Sequence, residues 1–263
     1  MKAQRVRAIA RRQRYVLQRS PHRSFDLTLW PLVDTILFGS IAVLFARQNG
    51  SGGAQGAAYL LVGTVLWHVV YQAQIAVATG FLEETWSRNL LSIMVTPLSE
   101  VEFLAGVASF SLIKSVAGVG VVALTATALY SFNITALGFG LIPVFALLTV
   151  VGWAVALFVV GLVLRFGMGA EALAWGVMFI IMPLSGAFYP ITVLPGWLQP
   201  VSKALPTTHA FAAGRSLLDG GSLDWGAMRM AAITTVLFVL LAGWFVVRML
   251  GLFRRRGYIT RFS

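Results

Sequence analysis

Six apolar runs dominate the chain: Leu27 to Phe45, Ala57 to Phe81, Phe103 to Phe132, Ala136 to Leu164, Leu173 to Phe188 and Ala231 to Leu252. A helix needs about 20 apolar residues to cross a bilayer, so most of these runs predict single transmembrane helices. The fifth is short. It leads into a stretch carrying Pro190, Pro195, Pro200 and Pro206, which cannot continue as one helix. With 58% hydrophobic and 11% charged residues, composition excludes an ordinary soluble domain and points to an all-α integral membrane protein.

Charge sets the expected orientation. Of 20 Lys and Arg, 8 precede Phe25 and 4 lie between Arg254 and Arg261. Such clusters beside apolar spans stay cytoplasmic and favour anionic headgroups, so six crossings with both termini in the cytoplasm are expected. The basic excess adjoins membrane, which favours lipid over nucleic acid as its partner. Residues 1–24 read as an amphipathic interfacial helix, with Val6, Ile9, Ala10, Gln13, Val16 and Leu17 at helical spacing and arginines elsewhere on the wheel. Residues 25–252 form the transmembrane domain and 253–263 a basic tail. A cleaved signal peptide does not fit a basic head of this length.

Zero cysteines exclude disulfides and thiolate chemistry. None of Lys2, Lys114 and Lys203 completes a G-x-x-x-x-G-K-[ST] loop, so any ATP and Mg would be held by a separate polypeptide and no cofactor by this chain. An intramembrane enzyme is disfavoured by the lack of H-E-x-x-H and G-x-S-x-G motifs. An ion-coupled secondary transporter remains as an alternative, with Asp34, Lys114 and His68 as its relay.

Between the second and third runs, Leu82, Trp86, Leu90 and Ile93 share a helical face while Glu83, Glu84, Ser87 and Arg88 lie elsewhere. A short separate helix is expected, with the glutamates at its N-terminus and Pro97 as its stop. Ser99 to Glu102 (SEVE) matches a capping box that starts the third span. Asp34 and Lys114 sit about 13 to 17 Å into their helices, counting about 1.5 Å per residue, and are expected to pair across the first and third spans or to share an aqueous cavity. His68, Gln72 and Gln74 give the second span a polar strip. His209 and Arg215 fall near the outer end.

The glutamate-led segment running into Val95-Thr96-Pro97-Leu98-Ser99, and the stretch PLSGAFYPITVLPGWLQP at 183–200 followed by Leu205-Pro206 and Arg215-Ser216-Leu217-Leu218, resemble permeases of the ABC-2 type, closest to the drug and nodulation-factor export branch. That resemblance implies a homodimer bound to two copies of a separate P-loop ATPase. It implies a coupling helix over 82–96 that meets the ATPase through Glu83, Glu84, Trp86, Arg88 and Leu90, with Pro97 passing its motion to the third span. It also implies re-entrant outer helices between spans five and six, with an outer gate at Tyr189, Pro190, Leu194, Pro195, Trp197 and Leu198. Asp34, His68, Gln72, Lys114, His209 and Arg215 would then be pathway or intramembrane polar residues, and the substrate an amphipathic or lipid-like molecule leaving the cytoplasm or inner leaflet.

Overall fold

The protein was analysed as a computed structural model, in which all residues except 1, 49, 87–95, 171, 219–221 and 256–263 are described. Helices α1 (Ala3–Arg19), α2 (Pro21–Gln48), α3 (Gly50–Trp86), α4 (Glu100–Tyr130), α5 (Leu141–Phe166), α6 (Leu173–Leu184), α7 (Gln199–Ala204), α8 (Pro206–Ser216) and α9 (Trp225–Arg255) account for most of them, and no strand occurs among the described residues. Five stretches are long and apolar enough to span a membrane: Leu27–Gln48, Gly53–Glu84, Val101–Tyr130, Leu137–Phe166 and Trp225–Leu252. The fifth apolar run forms α6, only 12 residues long, because its chain turns at Ser185 and Gly186 (φ 64°). At about 1.5 Å per residue a helix of that length does not cross a bilayer unaided.

Helix α3 is the axis of the bundle. Its most apolar window is 83% buried, against 22% in α2 and in α9, which lie at the periphery. Small residues set its neighbours close, as expected where lipid leaves van der Waals packing to hold helices together. A Cβ on Gly118 of α4 would fall 2.9 Å from Gln72, one on Gly80 would fall 2.7 Å from Val107, and one on Gly152 of α5 would meet Ala73 and the Val70 carbonyl at 2.7 Å. The first two make α3 and α4 antiparallel, while the clusters joining Val62 and Leu66 to Val144 and Leu148, and Val77 to Ala156 and Val159, make α3 and α5 parallel. Gly161 of α5 meets Phe245 of α9, while Ala231 joins the cluster around Val144 and Leu148, so α5 and α9 also run parallel. Both α1 and the last turns of α9 therefore lie at one end of the bundle, here called the terminal end.

The glycine-rich stretch 50–57 looks like a loop by composition and is the first turns of α3. Tertiary contact overrides its low helix propensity: a Cβ on Gly53 would meet the Phe45 carbonyl at 2.3 Å, so glycine lets α2 and α3 touch at their hairpin. The amphipathic N-terminal helix forms over Ala3–Arg19, in line with its periodicity. The SEVE capping box is also present. Ser99 Oγ accepts from the Glu102 amide at 3.2 Å, and Glu102 Oε2 accepts from the Ser99 amide at 3.1 Å.

Candidate functional site: a path along the third helix

Reading α3 from its C-terminal end gives the path in order. A cavity of about 210 Å³ begins between α1 and the ends of α3 and α4, where Gln13, Leu17, Thr79 and Glu83 line it, and stops at Tyr71 and Gln72 with Trp30, Phe110, Lys114 and Trp175 around it. One turn further, His68 is fully buried and its Nε2 stands 3.3 Å from the Asp34 carboxylate of α2. Neither ring nitrogen of His68 makes an aligned hydrogen bond, so this contact is a close approach of ring and carboxylate. Asp34 was expected opposite Lys114; its neighbour is instead the histidine of α3, because Lys114 turns into the cavity. The broader expectation of contact between the first and third spans holds, since Tyr130 of α4 donates to the Ile36 carbonyl of α2 at 2.8 Å.

Beyond the Asp34 and His68 pair an aromatic contact follows. Phe38 of α2 stacks on Phe188 with ring centroids 4.0 Å apart and planes 8° off parallel. The turn carrying Phe188 lies against α3 so closely that a Cβ on Gly63 would fall 2.0 Å from the Ala187 carbonyl. Only glycine admits that backbone. A second cavity, about 470 Å³, lies on the far side of this aromatic pair, lined by Phe45, Gln55, Tyr59, Phe188, Tyr189, Pro190 and Arg215.

The segment after α6 is irregular backbone held by side chains. Arg215 Nη1 donates to the Gly186 carbonyl at 2.7 Å, and its guanidinium lies 4.3 Å from the centroid of the Tyr59 ring. Tyr189 donates to the Pro183 carbonyl at 2.8 Å. Ser202 donates to the Leu184 carbonyl and Thr208 to the Ser202 carbonyl at 2.6 Å. Gln199 satisfies the Leu194 carbonyl at 3.0 Å, and His209 pairs with the Lys203 carbonyl at 2.8 Å. Helix α8 is deeply packed: Phe211 is fully buried and Gly214 abuts Leu66 of α3. Tyr189, Pro190 and Arg215 thus share one cavity, whereas Trp197 is 75% exposed, Pro195 is exposed, and Leu194 and Leu198 are half-buried outside that cavity. His209 belongs to the fold of this segment.

At the terminal end the two adjacent glutamates diverge. They do not open a separate helix, because α3 continues without a break to Trp86. Glu83 lines the first cavity. Glu84 is 2% exposed and accepts from Arg12 Nη1 of α1. Within this chain the Glu84 carboxylate is therefore covered and engaged by α1. A second tie runs from α1 to α4, where Glu102 accepts from the Lys2 amide at 2.8 Å and from Arg5 Nη1 at 3.1 Å. Arg7, Arg11 and Arg14 point away from the bundle. The side chain of Trp86, and Arg88 and Leu90 altogether, lie outside the described residues; Pro97 is exposed ahead of the capping box.

The residues that sequence reasoning missed are Arg5, Arg12, Phe38, Gly63, Trp175 and Phe188. One signal was present: Gln13 is the polar member of the apolar face of α1, and it is buried because that face packs on protein, beside Gly80. No curated protein matches the chain at a significant level. The model of the ABC-2 type transporter family matches residues 5–218, which takes in α2 to α8, nearly all of α1 and every residue lining the two cavities. The chain belongs to the ABC-2 type transporter family, and is a multi-pass membrane permease of the kind that pairs with a separate ATPase subunit and is not itself the catalyst.

Proposed function

We propose that this permease exports an amphipathic or lipid-like molecule, as a homodimer carrying two ATPase subunits, from the cytoplasm or inner leaflet of a bacterial-type inner membrane. The observation that carries this reading is the linear order along α3: a cavity at the terminal end, a plug at Phe38 and Phe188, and a second cavity beyond it. A path closed at one point between two cavities suits alternating access, in which a packed interface switches between two arrangements.

The positive-inside rule supports a cytoplasmic terminal end, since α1 and the end of α9 carry the basic clusters. Six crossings are supported by the parallel course of α5 and α9, which requires the chain between them to return across the bundle. Helix α6 and the segment 185–224 make that return, with α7 and α8 as outer re-entrant helices. Helix α8 packs on α3, α5 and α9, and the irregular turn at 185–187 is buried against α3, the condition under which such backbone is tolerated at membrane depth.

In this reading the segment 82–96 couples to the ATPase, with Trp86, Arg88 and Leu90 as contacts and Pro97 setting the angle into α4. Glu84 acts indirectly. Its pairing with Arg12 supports joint movement of α1 and the coupling segment when ATP closes the ATPase dimer. The test is Trp86→Ala in the complex: retention of ATPase on the purified permease should fall about tenfold, the loss of roughly 1.4 kcal/mol of contact, while membrane insertion stays intact. Unchanged retention overturns the coupling assignment.

A further inference from the structure

Arg215 places a positive charge in the second cavity. Its ring partner Tyr59 lies six residues, roughly 9 Å, along the span that starts at Gly53, a depth at which an ionised side chain marks a functional position. Both neighbours of the guanidinium are neutral. Nη1 donates to the Gly186 carbonyl at 2.7 Å, and the group lies 4.3 Å from the centroid of the Tyr59 ring. A carbonyl dipole and a π face ease its burial and leave its whole charge in place. Among the described residues no carboxylate comes within ion-pair distance of it: Glu84 and Glu102 are taken by Arg12 and Arg5, Asp34 faces His68, and Asp224 accepts from the amides of Gly226 and Ala227 at the start of α9. A guanidinium has five N–H donors in a planar fork that matches a phosphate or carboxylate edge, so the bond to Gly186 leaves donors for an oxyanion.

The walls indicate what that oxyanion is attached to. Phe45, Leu60, Phe188, Pro190 and Leu218 surround Arg215 in a cavity of about 470 Å³, inside the roughly 300 to 1,000 Å³ of ligand pockets. A bare inorganic anion would lose water against these side chains and gain no apolar contact in return. An amphiphile with one anionic group gains twice, because its charge meets Arg215 and its chain covers carbon. Phe45 is 46% exposed on the peripheral helix α2, so that wall gives a chain a way toward lipid. A cationic amphiphile would find the same walls and be repelled by the guanidinium. The site also adjoins the aromatic contact, since Arg215 holds the Gly186 carbonyl two residues before Phe188.

We infer that the second cavity receives the anionic group, a phosphate or comparable oxyanion, of the exported amphiphile, with Arg215 as its charge partner. The inference rests on the amphiphile-export reading above and narrows it to molecules that carry a negative charge. The chain has no cysteine, and a Cβ on Gly56 at the cavity wall would meet nothing within 4 Å, so Gly56→Cys puts a single reporter there in the full chain. In micelles of an uncharged detergent, dodecyl phosphate should slow its alkylation by an uncharged maleimide about tenfold more than dodecyltrimethylammonium does, the scale of one charge-assisted contact. Arg215→Gln should abolish that difference and Arg215→Lys should keep part of it. Arg215→Glu should reverse it in favour of the cation, which an arginine that only held the Gly186 turn would not do.

Inorganic phosphate at the same concentration should protect weakly; protection equal to that of dodecyl phosphate would point to a soluble oxyanion and overturn the assignment. Equal protection by the two amphiphiles with Arg215 in place, or an unchanged preference in Arg215→Gln or Arg215→Glu, would overturn it as well. Asp219, four residues on, lies outside the described residues. Asp219→Asn should leave the preference as it is, and a tenfold gain would mean that Arg215 is already neutralised and the site is not built for an anion. ATP-driven export confined to neutral or cationic amphiphiles would remove this assignment and leave the permease reading standing, whereas transport that persists without ATP would remove the reading it rests on.

Discussion

Glu83 and Glu84 are neighbours in the chain and point about 100° apart around α3, which gives two identical side chains two environments. Glu84 is covered and held by Arg12; Glu83 looks into the cavity. Glu84→Ala should lower thermal stability in detergent by about 1 to 3 kcal/mol, the scale of a lost charge-assisted hydrogen bond, and free α1 from α3. The exchange Arg12→Glu with Glu84→Arg should recover most of it. A melting temperature indifferent to all three changes would mean the pair holds nothing. Asp34 and His68 make a second residue-scale case. Asp34→Asn should alter transport more than stability, because the Asp34 side chain is 31% exposed while His68 is sealed in the bundle. Transport at the native rate with stability lost would assign the pair to packing. Reading these positions from sequence had a definite limit. Polar residues inside spans were visible, but their partners depend on helix rotation, which hydropathy does not report.

Among the elements, the most legible were those with a local cause. The capping box at Ser99 and Glu102 needs four residues, and the amphipathic face of α1 needs a stripe, so both were readable. Boundaries set by distant contacts were not. The acidic pair looked like a helix start because hydropathy falls there, yet the backbone hydrogen bonds of α3 run on to Trp86. Gly50–Ala57 looked like a loop and is helix because α2 accepts it closely. Prolines announced the broken segment after α6, but its plug depends on Gly63, whose role appears only when Ala187 is laid against it. Gly63→Val should therefore push the 185–188 turn off α3 at a cost of about 1 to 3 kcal/mol, as overpacking does elsewhere. In this cysteine-free chain, Ala187→Cys should react slowly with a membrane-permeant maleimide, and faster in the Gly63→Val background. Equal labelling in both would show that the turn does not need the glycine.

At the scale of the whole molecule, two cavities lie along the most buried helix with the stacked rings of Phe38 and Phe188 between them. Family membership gives the kind of machine; the proposed path runs along these cavities. The order along α3 also states what must move. In the proposed mechanism, ATP acting through α1 and the coupling segment parts Phe38 from Phe188 so that one cavity can empty into the other. Phe38→Cys with Phe188→Cys, oxidised to a disulfide, should then stop transport reversibly and leave ATPase association intact. The most direct test of the account is flux in proteoliposomes containing this chain and its ATPase, followed with a fluorescent phospholipid analogue. Movement from the face bearing the termini to the opposite face, dependent on ATP and abolished by a Walker-lysine variant of the ATPase, is the predicted result. Movement that persists without ATP, or that runs toward the termini, would contradict it.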